Sequence, residues 1–154
     1  MTTPLKVLIL EDRPDDADLL VLELGRAGFD PDWQRVETRS DYEASLKPDL
    51  DVVLADYSLP QFNALQALGL LQDRGLDIPF IVVTGGFEDL AIDCMRQGAA
   101  DYLIKDRVGR LGLAVQQALQ GRRLRAEKRR AMEALRESEK RFRSVAETAI
   151  ASIA

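Results

Sequence analysis

Four short apolar runs in this chain each end in side chains that could do chemistry. These side chains are Glu11 and Asp12, then Asp56, Thr84 and Lys105. In an open α/β sheet the site lies outside the carboxyl ends of the strands, so parallel strands here would bring the groups to one edge. Taken singly, an aspartate can open a turn and a lysine usually lies on the surface. Four successive strand ends together favour a common site.

The chemistry expected of this site is phosphoryl transfer to a carboxylate. Three carboxylates in one place repel one another, and Lys105 supplies only one positive charge. The remaining negative charge needs a further cation, and carboxylate oxygens are ligands that favour Mg²⁺. A chain with no histidine and one cysteine does not favour zinc. Asp56 could then attack a phosphoryl group to form an aspartyl phosphate. Mg²⁺, Lys105 and the Thr84 hydroxyl would each stabilise one oxygen of that group.

The elements that must position these groups alternate between strand and helix. Strands are predicted at residues 7–10, 33–36, 52–56, 79–84 and 101–105. Helices are predicted from Pro14, from a capping box at Ser40-Asp41-Tyr42-Glu43 to about Lys47, and around residues 65–71. A fourth helix is predicted directly after Gly85-Gly86, and a fifth helix is predicted to begin near Val108. This alternation predicts a parallel sheet with helices on both faces.

Composition places a boundary near the end of the chain. Residues 1–121 carry a net charge of −10 and residues 122–154 one of +5, which together give the −5 of all 154 residues. We predict one domain at 1–121 and a helical extension at 122–154. No apolar run approaches the roughly 20 residues that span a bilayer, so no membrane insertion is expected. The single cysteine, Cys94, suits a buried thiol in a reducing cytoplasm.

Four segments resemble response-regulator receiver domains of bacterial two-component signalling. They are residues 7–12, 52–60, 81–85 and 100–105, and the resemblance covers about residues 5–120. It implies a flavodoxin-like, doubly wound five-stranded parallel sheet with strand order 2-1-3-4-5. It also implies a histidine kinase or phosphotransfer protein as the partner that donates the phosphoryl group.

The resemblance assigns roles to particular residues. Asp56 would be phosphorylated, and Lys105 would contact the phosphoryl group. Thr84 and Tyr102 would form a switch pair that changes the surface of the fourth helix, fifth strand and fifth helix. The implied ligands of Mg²⁺ are Glu11, Asp12, Asp56 and the backbone carbonyl of Ser58.

Two positions depart from the family's usual pattern. Asp106 follows the lysine where the family usually has proline, so we expect no cis bond there. The loop after the central strand reads Asn63-Ala64, where Asp-Gly is common. Neither change touches the phosphoryl site, but both could alter the geometry of the turns.

The extension at 122–154 has a leaky heptad pattern. Leu124, Ala131, Ser138 and Val145 lie seven apart, and Lys128, Leu135, Phe142 and Ala149 form the partner series. A long surface helix is one interpretation, and we favour a parallel dimeric coiled coil. Glutamates interrupt the basic run at 122–130, so nucleic-acid binding is not predicted.

Residues 135–143 also resemble the lead-in to a PAS sensor domain. The chain stops at residue 154 without such a domain. We therefore expect a fragment of a longer regulator whose missing output is a histidine kinase or a diguanylate cyclase.

Three alternatives remain beside the phospho-accepting receiver. A degenerate receiver would serve as an interaction and dimerisation scaffold that never accepts phosphate, although Asp12, Asp56, Thr84 and Lys105 are all present. An aspartyl-nucleophile phosphatase usually has a second aspartate two residues after the nucleophile, where Ser58 stands. A dinucleotide-binding role lacks the G-x-G-x-x-G loop.

Overall fold

In the computed structural model, which describes residues 1–86 and 88–153, five strands form one parallel sheet. The strands are β1 (Thr3–Leu10), β2 (Phe29–Val36), β3 (Val52–Asp56), β4 (Phe80–Thr84) and β5 (Asp101–Ile104). The strand order is β2-β1-β3-β4-β5, and every neighbouring pair is parallel. This confirms the flavodoxin-like, doubly wound sheet predicted above.

Helices cover both faces of this sheet, which gives the domain two hydrophobic cores. The helices are α1 (Pro14–Arg26), α2 (Arg39–Ser45), α3 (Ala64–Asp73), α4 (Glu88–Gln97) and α5 (Leu111–Ile153). One core lies against α2, α3 and α4, and the other lies against α1 and the start of α5. All five residues of β3 are buried, as a central strand covered on both sides requires.

The first two strands begin four residues earlier than their apolar runs predict. They pair with each other from Thr3 and Phe29 to Leu10 and Val36. Backbone hydrogen bonds form this ladder, and they do not require buried side chains. The edge strand β2 even contains Pro31, which a central strand would not tolerate. Apolar periodicity reports burial, so it missed the exposed part of the edge pair.

The predicted capping box at Ser40 is wrong by two residues. The N-cap of α2 is Thr38, whose hydroxyl accepts a hydrogen bond from the backbone N–H of Asp41 at 3.1 Å. The helix ends at Ser45, not near Lys47. Thr and Ser are both good caps, and the extended backbone at Thr38 after β2 decides which one is used.

The two departures from the family pattern are accommodated locally. Asn63 caps α3, accepting from the Gln66 N–H at 2.8 Å while the Gln66 side chain accepts from the Asn63 N–H. The peptide bond between Lys105 and Asp106 is trans. A 3₁₀ helix at Lys105–Arg110 then leads into α5. The last helical segment therefore begins at the lysine itself, earlier than predicted.

Close packing joins α1 to the start of α5 at a glycine. A Cβ at Gly112 would clash with the Cβ of Ala27, the residue that follows α1. Only a residue without a side chain fits this contact.

Contacts between residues divide the chain into two units, 1–120 and 121–154, of which residue 154 lies outside the described part. Within residues 121–153 the chain is one continuous stretch of helix α5. None of the described helices is long and apolar enough to cross a membrane.

Candidate functional site

Three carboxylates converge at the carboxyl end of the sheet. Leu10 and Ala55 are paired neighbours on β1 and β3, so the next residues, Glu11 and Asp56, lie at the same level of the sheet's carboxyl edge. One oxygen from each of Glu11, Asp12 and Asp56 lies within 4.8 Å of the other two. Glu11 is 1% exposed and Asp56 is 6% exposed. The sequence predicts that these three residues lie together, and the structure brings them together.

The ammonium group of Lys105 lies against this cluster. Its Nζ is 3.0 Å from Asp56 Oδ2 and 3.4 Å from Glu11 Oε2. Lys105 follows β5, two strands away from β3, so the lysine side chain must reach back along the sheet edge. The structure therefore places the ammonium group of Lys105 beside two of the three clustered carboxylates.

Asp16 is a member of this site that the sequence analysis missed. Its Oδ2 is 3.0 Å from Lys105 Nζ. The sequence alone assigns no role to Asp16, because an aspartate in the first turn of a helix is explained by the helix dipole. The sequence feature that could have indicated a role for Asp16 was its position on the helix that begins soon after Glu11 and Asp12, at the same edge of the sheet.

Burial and charge shift the protonation of the central groups. Burial, reinforced by the negative charge of Asp56, raises the pKa of Glu11 to about 7. For Lys105, burial acts to lower the pKa, but hydrogen bonds to Asp56 and Asp16 outweigh it and raise the pKa above its ordinary value. The lysine therefore remains a cation, which is what a cluster of carboxylates requires.

Hydrogen bonds hold the acidic loop after β1. The Arg35 guanidinium on β2 donates to the backbone carbonyl of Glu11 at 3.1 Å. The backbone N–H of Arg13 donates to Glu11 Oε1 at 3.1 Å. The Arg13 contact orients the buried Glu11 carboxylate, and the Arg35 contact holds the backbone of this loop. Arg35 was not predicted, since nothing in the sequence links it to a residue on another strand.

Of the remaining predicted site residues, Ser58 and Thr84 lie next to Asp56 and Tyr102 lies further away. The backbone N–H of Ser58 donates to Asp56 Oδ1 at 3.2 Å. Val83 pairs with Asp56 across β3 and β4, so the buried Thr84 lies one residue further along the same edge. Tyr102 lies back within β5, where its half-buried ring packs against the core formed with α2, α3 and α4. Its side chain is outside the carboxylate cluster.

The doubly wound sheet and the acidic site with its lysine define a receiver domain of two-component signalling. The family model described as "Response regulator receiver domain" matches residues 7–116, and the chain belongs to that family.

Relatives and solved structures agree with this assignment. The response regulator protein PilR of Pseudomonas aeruginosa is 34% identical over 124 residues, which cover 79% of this chain and 28% of PilR. A signal receiver domain of a LuxO repressor protein from Vibrio parahaemolyticus superposes with a TM-score of 0.68 at 25% identity, covering 80% of this chain and 95% of that one. The beryllofluoride-activated receiver domain dimer of NtrC4 gives 0.66 at 25% identity, covering 76% and 98%.

This chain spans less than a third of the length of PilR. The activity of a whole regulator such as PilR therefore does not carry over to this chain. The comparisons give no specific support to a degenerate receiver that acts only as a scaffold.

Proposed function

We propose that this chain accepts a phosphoryl group on Asp56 from the phospho-histidine of a histidine kinase or phosphotransfer protein. The observation that supports this best is the position of Lys105 Nζ, 3.0 Å from the Asp56 carboxylate at the edge of the acidic cluster. A carboxylate paired with a cation at a partly open sheet edge is suited to nucleophilic attack on phosphorus.

The proposed transfer needs no general base, because the attacking carboxylate of Asp56 is already ionised. An oxygen of Asp56 forms a bond to phosphorus while the bond from phosphorus to the donor imidazole nitrogen breaks. The donor ring carries a proton on its other nitrogen, so it leaves with that electron pair as neutral imidazole. Lys105 donates to one phosphoryl oxygen, and the Thr84 hydroxyl donates to another. Both groups offset charge that spreads over the phosphoryl oxygens in the transition state.

The donor set at this site fits Mg²⁺. The clustered atoms are all carboxylate oxygens, the hard ligands that Mg²⁺ prefers, and no thiol or imidazole is among them. Bound Mg²⁺ would neutralise phosphoryl charge and offset the repulsion among the carboxylates. The residues proposed to hold it are Glu11, Asp12, Asp56 and the backbone carbonyl of Ser58.

Intact-mass analysis after incubation with a small phosphodonor tests this function. We expect the wild type to gain one phosphoryl group, and peptide mapping to locate it within residues 52–60. Removing Mg²⁺ with a chelator is expected to slow the gain by at least about tenfold, because the phosphoryl charge loses its main neutralising partner. A folded wild type that gains no phosphoryl group with excess Mg²⁺ would instead support the scaffold alternative.

We also propose that Thr84 and Tyr102 act as the switch pair. When Thr84 turns toward the phosphoryl group, the ring of Tyr102 would move into the space it leaves and change the surface near α4 and β5. Tyr102→Ala is expected to phosphorylate within about twofold of the wild-type rate, since the ring lies outside the cluster. Hydrogen exchange in α4 and β5 should no longer respond to phosphorylation in this variant.

Tyr102→Phe is the matched control for the switch. It keeps the ring and should retain the exchange response. If Tyr102→Ala cannot be phosphorylated although it is folded, the separation of switch from chemistry is wrong.

The second unit, residues 121–154, is proposed to form a parallel two-stranded coiled coil with another copy. Large apolar side chains are exposed along this helix, and a partner helix would cover them. Phe142, for example, is 78% exposed. The NtrC4 comparison concerns a receiver domain that is a dimer, which makes self-association a reasonable expectation. The exposed large apolar residues of this helix are Leu124, Met132, Leu135, Phe142, Val145 and Ile150.

Light scattering tests this coiled coil. The wild type should have the mass of a dimer, and the double variant Leu135→Glu/Phe142→Glu should shift to monomer because it places charge at two core positions. Lys140→Glu, which changes a position opposite the stripe, is the control and should remain dimeric. A wild type that stays monomeric at high concentration contradicts the proposal.

Other expectations from the sequence stay predictions. These are the boundary between 1–121 and 122–154, the PAS-like lead-in, the missing output enzyme and a cytoplasmic location.

A further inference from the structure

Lys105 has three N–H donors and, among the residues that the structure describes, three carboxylate neighbours. Asp56 Oδ2 and Asp16 Oδ2 are each 3.0 Å from its Nζ, and Glu11 Oε2 is 3.4 Å away. Asp56 and Glu11 belong to the acidic cluster, whereas Asp16 comes from the first turn of α1 and is not one of the clustered carboxylates. Asp16 therefore offers Lys105 a hydrogen bond that does not depend on the state of the cluster.

The helix dipole does not account for this contact. Asp15 and Asp16 both lie in the first turn of α1, where a negative charge is favourable. Asp15 is exposed, and no ion pair joins it to Lys105 in the described part of the chain. Only Asp16 turns toward the lysine, although the dipole favours both residues.

The pair between Asp16 and Lys105 is better shielded than a surface ion pair. The two side chains are 27% and 29% exposed, so water screens their attraction only in part. The nearest competitor for Asp16 is Arg13, whose Nε is 3.9 Å away and whose side chain is 72% exposed. Asp16 is therefore held mainly by Lys105.

We propose that Asp16 is a positioning residue that holds the Lys105 ammonium beside Asp56 for phosphoryl transfer. A lysine has a flexible four-carbon stem, so its charge is useful only where something holds it. When Asp56 takes up a phosphoryl group, the oxygen that bonded Lys105 changes its charge and its partners. Asp16 is unchanged by that event and can keep Nζ in place. This inference depends on the proposed function, because it assumes that Lys105 assists the transfer.

The test compares the rate of phosphoryl gain, by intact mass with a small phosphodonor and excess Mg²⁺, among variants of the 154-residue chain. Asp16→Ala is expected to react about tenfold more slowly, since a misplaced group can cost that much. Asp16→Asn keeps an oxygen that accepts from Lys105 and should react within about threefold of the wild type. Asp15→Ala removes a charge from the same helix turn and should match the wild type.

A double-variant cycle shows whether Asp16 acts through the lysine. In a Lys105→Ala background, adding Asp16→Ala should slow the reaction by less than about twofold. A merely structural role would give the same loss in both backgrounds. Thermal unfolding checks that each variant is folded, and Asp16→Ser replaces Asp16→Ala if the alanine variant is not.

Each outcome has a definite meaning. If Asp16→Ala reacts at the wild-type rate, or loses as much activity without Lys105 as with it, the positioning role is wrong while the proposed function stands. If Asp16→Asn is as slow as Asp16→Ala, the hydrogen bond is not what matters and the inference fails. If the wild type gains no phosphoryl group, the proposed function fails and this inference fails with it.

Discussion

Replacing Asp56 by asparagine is expected to abolish the gain of a phosphoryl group. An amide has no carboxylate oxygen with which to form the acyl phosphate, so the loss should reach the detection limit, at least about 1,000-fold. The change is nearly isosteric. The amide that replaces the carboxylate keeps an oxygen that can accept from the Ser58 N–H, which now donates to Asp56 at 3.2 Å. The loss should therefore be one of chemistry and not of folding.

The fold of this variant should survive because the substitution reduces repulsion. Asp56 raises the pKa of Glu11 through its negative charge, so removing that charge makes the remaining cluster easier to ionise. Lys105 also keeps Asp16 and Glu11 as partners. We expect a free energy of unfolding within about 1 kcal/mol of the wild type.

Asp30→Asn, which changes an exposed carboxylate of β2, is the control and should phosphorylate normally. Phosphoryl gain that persists in Asp56→Asn would show that another carboxylate of the cluster is the acceptor. Peptide mapping of that product would identify it.

Replacing Lys105 by alanine is expected to slow phosphoryl gain by about 100-fold. Removing one preorganised donor from a site where charge develops costs about 100- to 1,000-fold in other enzymes. The Lys105 ammonium contacts both Asp56 and Glu11. Burial acts to lower the pKa of Lys105, but its hydrogen bonds to Asp56 and Asp16 raise that pKa above its ordinary value. The variant therefore loses the group that offsets charge at the acceptor carboxylate.

The same substitution should lower stability. It leaves the buried carboxylates of Glu11 and Asp56 without their common cation, and breaking a buried pair on one side is costly. Because Lys105 is partly exposed and Glu11 takes up a proton near neutral pH, we expect a loss of about 1–2 kcal/mol and not the full cost of an isolated charge. Urea unfolding measures this difference.

Lys6→Ala is the matched control for Lys105→Ala. Lys6 pairs with Asp49 at 2.7 Å, but both side chains are at least half exposed, so the pair should contribute little. Rate and stability should both stay near the wild-type values. If Lys105→Ala accepts phosphoryl groups at the wild-type rate, Lys105 is only a structural counter-ion.

Much of this site could be predicted because strand ends are visible in the sequence. The apolar runs that precede Glu11, Asp56 and Thr84 are continuous, since these inner strands are buried on both faces. The edge strand that precedes Lys105 is shorter and only partly buried. The resemblance to receiver domains then supplied the strand order, which brings β1, β3, β4 and β5 side by side. Apolar periodicity alone would have left that order open, because it reports burial and not which strand pairs with which.

Contacts made across the fold could not be predicted in this way. Asp16 and Lys105 are 89 residues apart, and Arg35 reaches the Glu11 carbonyl from another strand. The sequence around Gly112 predicts only a helix, yet the contact with Ala27 leaves no room for a side chain at this position.

By itself the sequence determined the alternating elements, the buried strands and the chemical groups at their ends, because burial and helix or strand period are local properties of the chain. Only the tertiary structure decided which cap begins α2, how far β1 and β2 extend, and that Asp16 contacts the lysine. Those choices depend on distances between residues remote in sequence, and packing of the whole domain sets those distances.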